Sequence, residues 1–72
     1  MTLIDRLIKD NQHDMYLNRS ALAQMRAGRR TTTNAVDTTS QSITKLTMAN
    51  SALRQANSVL RARLANAYRP QR

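Results

Sequence analysis

Arginine dominates the side chains of this sequence that could carry chemistry. Ten of the twelve basic residues are Arg, while the chain holds four Asp, no Glu and no Cys. The guanidinium group is a planar fork of donors that grips phosphates and carboxylates. Its prevalence favours the binding of anions. His13 is the only histidine, the residue type that most often serves as a base near neutral pH.

The sequence contains no constellation typical of an active site, a metal site or a cofactor site. Hydroxyl nucleophiles need a neighbouring base, and His13 stands among the polar residues Asn11, Gln12 and Asp14, where we expect it to be solvated. Gly28 is the only glycine, so a glycine-rich phosphate loop cannot form. One His without Cys or Glu does not supply a protein-only metal cage. We therefore expect no enzyme, with no catalytic, metal or cofactor residues.

Positive charge is distributed unevenly along the chain. The net charge is +8, and residues 38–72 carry six basic groups and no acid, whereas residues 1–37 carry six basic groups and four acids. Such an excess indicates an anionic partner, either nucleic acid or an acidic protein surface, and says nothing about the fold. The candidate contacts with an anion or partner are Arg26, Arg29, Arg30, Arg54, Arg61 and Arg63.

A leucine heptad in the second half of the chain predicts a helix, and this helix would carry Arg54, Arg61 and Arg63. Apolar residues and asparagines recur there at alternating spacings of three and four, which is the pattern of a coiled-coil seam. With Ile43 at position a, leucines fall at successive d positions and two asparagines at a; the pattern resembles a leucine zipper. The predicted self-association residues are Ile43, Leu46, Asn50, Leu53, Asn57, Leu60 and Leu64. Arg54 and Arg61 fall at position e, beside this seam.

The seam has two interpretations. It could join copies of the chain into a dimer or trimer, or it could fill a groove on another protein. Self-association is favoured because Leu, Ile, Val and Phe make up only 13 of 72 residues, too few for a strong core in one chain. Asparagines in the seam would fix the alignment of the helices at a cost in stability.

The first half continues the same register. Counting back by whole heptads places Ile8, Met15 and Leu22 at a, and Ile4, Asn11, Asn18 and Met25 at d. Thr2 is the expected N-cap, with Asp5 at the favourable negative position of the first turn. In between, Gly28 and a run of threonines weaken a helix.

The predicted fold is all-α, with two helices or one long interrupted helix, and oligomeric. Residues 1–27 form an amphipathic helix and residues 28–37 a polar hinge. Residues 38–68 form the coiled-coil helix, opened by a capping box of Thr38 and Gln41 and closed before Pro70. Residues 69–72 form a basic tail.

These observations predict a structural or interaction protein that self-associates and docks on a larger protein assembly. A minor component of a viral or phage particle, in the capsid, tail or connector, is one such protein. The alternative is a small basic dimer that binds or packages nucleic acid without sequence specificity. A basic-zipper transcription factor is not favoured, because residues 26–40 lack its dense basic face. Without a long apolar run we expect no membrane contact and an intracellular site of synthesis.

Overall fold

A computed structural model describes residues 2–67, which form two antiparallel α-helices joined by a short β-hairpin. The elements are helix α1 (Leu3–Arg26), strand β1 (Thr32–Thr33), strand β2 (Val36–Asp37) and helix α2 (Thr39–Ala67). The two helices pack along each other into a rod of 62 × 20 × 17 Å. The prediction of an all-α fold with two helices is confirmed. The predicted basic tail lies outside the described residues.

Helix α1 begins at the predicted cap. The Thr2 hydroxyl accepts a hydrogen bond from the Asp5 backbone N–H at 3.1 Å, and the Asp5 carboxylate accepts from the Thr2 backbone N–H at 3.2 Å. The Thr2 hydroxyl also donates to this carboxylate at 2.9 Å. These hydrogen bonds hold the pKa of Asp5 below its ordinary value. The capping box thus satisfies donors that the first turn leaves free.

Helix α1 ends at the only glycine. Gly28 has a φ of +121°, which a residue with a side chain rarely adopts. Its N–H donates to the Met25 carbonyl at 3.2 Å, and the Arg29 N–H donates to the Gln24 carbonyl at 3.0 Å. This pair of bonds is the Schellman arrangement, with glycine just past the last helical turn. The chain reverses direction from here.

The predicted polar hinge contains a small β-hairpin. Thr32 pairs with Asp37 and Thr33 with Val36 in antiparallel register. The two turn residues, Asn34 and Ala35, both have positive φ, of 52° and 63°. Such a turn suits the right-handed twist of a hairpin, but Ala in this conformation costs about 1–2 kcal/mol. Asn-Ala is not one of the residue pairs typical of a two-residue hairpin turn, so the sequence alone does not predict these strands.

Helix α2 is capped by a different residue from the one predicted. One carboxylate oxygen of Asp37 accepts from the Thr39 backbone N–H at 2.9 Å and from the Thr39 hydroxyl at 2.6 Å. These bonds, with the nearby Arg30 guanidinium, hold the pKa of Asp37 below its ordinary value. The Thr38 hydroxyl instead lies 3.2 Å from the Thr31 hydroxyl. Asp37 therefore takes the role predicted for Thr38.

Candidate interaction faces

The residues predicted to join copies of the chain pack against α1 of the same chain. Asn50 and Asn57 are buried, and the aliphatic members of the set are half-buried along the same side of α2. Ile8, Leu22 and Met25, which the register placed on the same seam, are the buried apolar residues of α1. The structure thus places both sequence halves on one seam. Self-association through these residues stays a prediction.

Two pairs of asparagines bridge the helices. Asn11 Nδ2 donates to Asn57 Oδ1 at 2.9 Å, and Asn57 Nδ2 donates to the Ile8 carbonyl at 3.3 Å. Asn57 is fully buried, so its amide depends on these partners. Each amide layer is therefore closed within a single chain.

The second pair repeats this geometry one heptad along each helix. Asn18 Nδ2 donates to Asn50 Oδ1 at 2.9 Å, and Asn50 Nδ2 donates to the Met15 carbonyl at 3.4 Å. The four contacts define the antiparallel register, because the numbers of facing residues add up to 65 or 68. This rule locates every position of α2 relative to α1.

Antiparallel packing sorts the flanking positions onto two sides of the hairpin. Residues at e and g flank the a and d seam on opposite sides of each helix. When two helices run in opposite directions, e of one lies beside e of the other, and g lies beside g. The hairpin consequently has two broad faces whose chemistry follows from these positions.

One side, here called the basic face, carries a line of arginines. Arg19 and Arg26 occupy e on α1, and Arg54 and Arg61 occupy e on α2; all four are exposed. The exposed residues Lys9 and Tyr16 flank them at position b. The acid at e on this face, Asp5, is held by Thr2 at the start of α1. The basic face is defined by Lys9, Tyr16, Arg19, Arg26, Arg54 and Arg61.

The arginines of the basic face follow one another at regular intervals. The register places Arg61 beside residues 4–7 of α1 and Arg54 beside residues 11–14. Arg19 and Arg26 continue the line toward the turn. Successive members are about seven residues apart, or about 10.5 Å at the helical rise. The line spans about 30 Å.

The opposite side, here called the apolar face, carries exposed aliphatic and small residues. Leu3, Leu17 and Val59 are 72%, 50% and 54% exposed. Alanines at g and c of α2 are also exposed. The apolar face is defined by Leu3, Leu7, Leu17, Ala49, Ala52, Ala56 and Val59. Its acids, Asp10 and Asp14, lie on α1, and its cations, Lys45 and Arg63, lie on α2.

The structure divides the six predicted anion contacts. Arg26, Arg54 and Arg61 come together on the basic face, whereas Arg63 lies at position g beside the apolar face. At the turn, Arg30 Nη1 lies 3.6 Å from Asp37 Oδ2 in an exposed ion pair. Arg29 Nη1 donates to Gln24 Oε1 at 2.6 Å. Arg29 and Arg30 therefore bind neighbouring side chains near the turn and do not lie on the basic face.

Sequence reasoning missed Arg19 as a candidate contact. Arg19 shares position e with Arg26, one heptad earlier, and this spacing was a usable signal. The spacing alone did not indicate a shared surface, because only antiparallel packing brings the arginines of both helices to one face. His13 is exposed at position f, as predicted.

The described residues contain neither a three-residue metal-binding cluster nor a membrane-spanning helix. Within residues 2–67, no three His, Asp or Glu side chains lie close enough together to hold a metal ion. Neither helix in this range is long and apolar enough to cross a membrane. An open depression on the basic face is lined by Asp5, Ile8, Lys9 and Gln12.

No protein-family model, curated protein or solved structure matches this chain. The function of the chain must consequently be inferred from its own residues. Two faces of different chemistry on one helical hairpin are the features that it can use.

Proposed function

We propose that the protein is a non-enzymatic interaction module that associates with a second copy through the apolar face. The observation that carries this proposal is the position of the exposed aliphatic residues. The apolar residues of the seam are already packed between the two helices of one chain. Leu3, Leu7, Leu17 and Val59 nevertheless remain exposed on one side of the hairpin. Large apolar residues grouped on one surface favour a protein contact.

A second copy would supply the core that one hairpin lacks. Only Ile8, Leu22 and Met25 are buried apolar residues in the described chain. A core of this size gives a chain of 72 residues little free energy of unfolding. Stacking two apolar faces would bury the remaining leucines in a four-helix bundle. The alanines at 49 and 56 would let the helices approach closely.

The charges of the apolar face favour one way of stacking. Its acids, Asp10 and Asp14, belong to α1, whereas Lys45 and Arg63 belong to α2. Stacking α1 on α1 of the second copy would set acids against acids near the middle of the face. Stacking α1 on α2 of the second copy avoids this repulsion and sets acids against a helix that carries only positive charge. We propose this second arrangement.

Such a dimer would leave both basic faces on the outside. We propose that the protein also docks on a larger assembly, such as a viral or phage particle. Docking would then use these outer surfaces. Binding of nucleic acid is the second candidate function, and the line of arginines is the observation that favours it. Self-association uses the apolar face and nucleic-acid binding uses the basic face, so these two functions can be tested separately.

Sedimentation equilibrium over a range of concentrations tests the dimer. The expected species has twice the 8.2 kDa mass of one chain. Ala56→Glu would place an unpaired charge in the interface beside Asp10, and we expect the dissociation constant to rise by about 100-fold or more. Ala62→Glu makes the same substitution at an exposed position f of α2 and should leave the dimer intact.

Circular dichroism on the same samples separates lost association from lost folding. The proposal requires Ala56→Glu to remain helical while it dissociates. A helical monomer at every concentration of the unsubstituted chain would contradict self-association. An equal loss of dimer in both variants would show that the apolar face is not the interface.

A further inference from the structure

We infer that the basic face is a binding site for the phosphate backbone of nucleic acid, used without regard to base sequence. Arg61, Arg54, Arg19 and Arg26 form the site, in that order along the rod. The inference concerns the face opposite the proposed dimer contact. It does not depend on self-association, but it rests on nucleic-acid binding as the second candidate function, for which it names the site and the ligand.

The spacing of the arginines points to an extended ligand. Successive guanidinium groups are carried by positions about 10.5 Å apart, and the line covers about 30 Å. A single small anion could meet only one of them. A polymer with charges at regular intervals could meet all four while the hairpin stays rigid. The repeat thus favours a polyanion over an isolated phosphate or carboxylate.

The arginines are available for such a ligand. Within residues 2–67, the ion pair in the structure is Arg30 with Asp37, away from this line. Asp5, the acid at the end of the face, accepts hydrogen bonds from Thr2 instead. Serine, threonine, glutamine and alanine fill most of the remaining e and b positions. Asp5 is therefore one acid against five basic side chains, Lys9 and the four arginines, and the net charge of the face stays positive.

An aromatic side chain favours nucleic acid over an acidic protein. Tyr16 is 61% exposed and, by the register, lies between Arg54 and Arg19. Nucleic-acid surfaces that ignore sequence combine a basic track with aromatic rings on which bases stack. The arginine fork also matches phosphate geometry. Tyr16 and the four arginines together supply both elements.

Fluorescence anisotropy with labelled DNA tests this site in the full chain. Single strands and duplexes of about 20 nucleotides share the phosphate backbone, and titration at several salt concentrations counts the phosphates contacted. If each arginine neutralises one duplex phosphate, the slope of log K against log salt is about −3.6. Tyr16→Ala should weaken single-strand binding by about 5-fold or more, with a smaller effect on duplex.

A pair of matched double variants makes the test specific. Arg19→Gln/Arg54→Gln should halve the salt slope and weaken duplex binding by about 60-fold at about 0.1 M salt. Arg6→Gln/Arg29→Gln removes the same charge at exposed positions outside both the basic face and the apolar face and should change binding far less. Circular dichroism checks that both variants stay helical.

Three results would overturn the inference. The first is no binding of either DNA at low salt. The second is an equal loss of affinity in the two double variants, since net charge alone would then explain binding. The third is equally tight binding of polyglutamate with the same dependence on Arg19 and Arg54, which would assign the face to acidic protein surfaces.

Discussion

The seam between the helices has an apolar end and a polar middle. Near the turn, Leu22 and Met25 are 6% and 8% exposed. Farther from the turn, the helices meet through the amides of Asn18 with Asn50 and of Asn11 with Asn57. Apolar burial contributes free energy without direction, whereas an amide pair is satisfied in one alignment only. Leu22 and Met25 near the turn, with Ile8 on the far side of the amides, hold the helices together, and the polar middle sets how they align.

Two amide layers specify the alignment better than one could. If α2 slipped by one heptad, Asn50 would meet Asn11 and one pair would survive. Asn57 would then face Ile4, and Asn18 would face Ile43, so two amides would lose their partners. Burying an unpaired amide costs about 1–3 kcal/mol. The second layer therefore excludes a register that the heptad pattern alone would accept.

Removing an apolar contact near the turn should have the largest effect. We expect Leu22→Ala to lower the free energy of unfolding by about 2–5 kcal/mol, because the side chain is buried and leaves a cavity. Urea unfolding followed by circular dichroism, at one protein concentration, measures the change. Met48→Ala, at a side chain that is 67% exposed, is the control and should cost less than about 0.5 kcal/mol. Similar losses in both variants would contradict the assigned core.

Breaking one amide pair should have an intermediate effect. Asn57→Ala removes a fully buried side chain and leaves the Asn11 amide without its acceptor. We expect a loss of about 1–3 kcal/mol in the same urea experiment. Asn66→Ala changes an exposed asparagine of the same helix and should be nearly neutral. A neutral Asn57→Ala would mean that the amide layer is not formed.

Replacing both members of a pair should have the smallest effect on stability. Asn11→Leu/Asn57→Leu leaves no stranded amide, so we expect the free energy of unfolding to stay within about 1 kcal/mol of the original. Together with the two single Leu variants, it forms a double-mutant cycle that isolates the coupling between the side chains. Additive single effects would argue against a contact between Asn11 and Asn57.

The sequence was sufficient to predict two helices and the cap at Thr2. The buried residues Ile8, Leu22, Met25, Asn50 and Asn57 all belong to the set that the spacing pattern singled out. The sequence could not predict that the seam closes within one chain, because the same pattern serves parallel and antiparallel helices, in one chain or between chains. The two faces depend on that outcome, since parallel helices would set e against g and mix Arg54 with alanines. The β-hairpin could not be predicted because its turn places Ala35 at a positive φ, a conformation that alanine rarely adopts.

In the structure the seam between the helices closes within one chain, so association with a second copy would use another face. Energy transfer between dyes on Arg6→Cys and Ala62→Cys tests it, and the chain has no other cysteine. Both positions are exposed, and the register places them at the same end of the rod. A seam within one chain predicts a short separation between the dyes, set by the 20 Å width of the rod, that persists when labelled protein is diluted into excess unlabelled chain. Transfer that disappears on dilution, or a separation near the roughly 84 Å of a continuous helix, would contradict it.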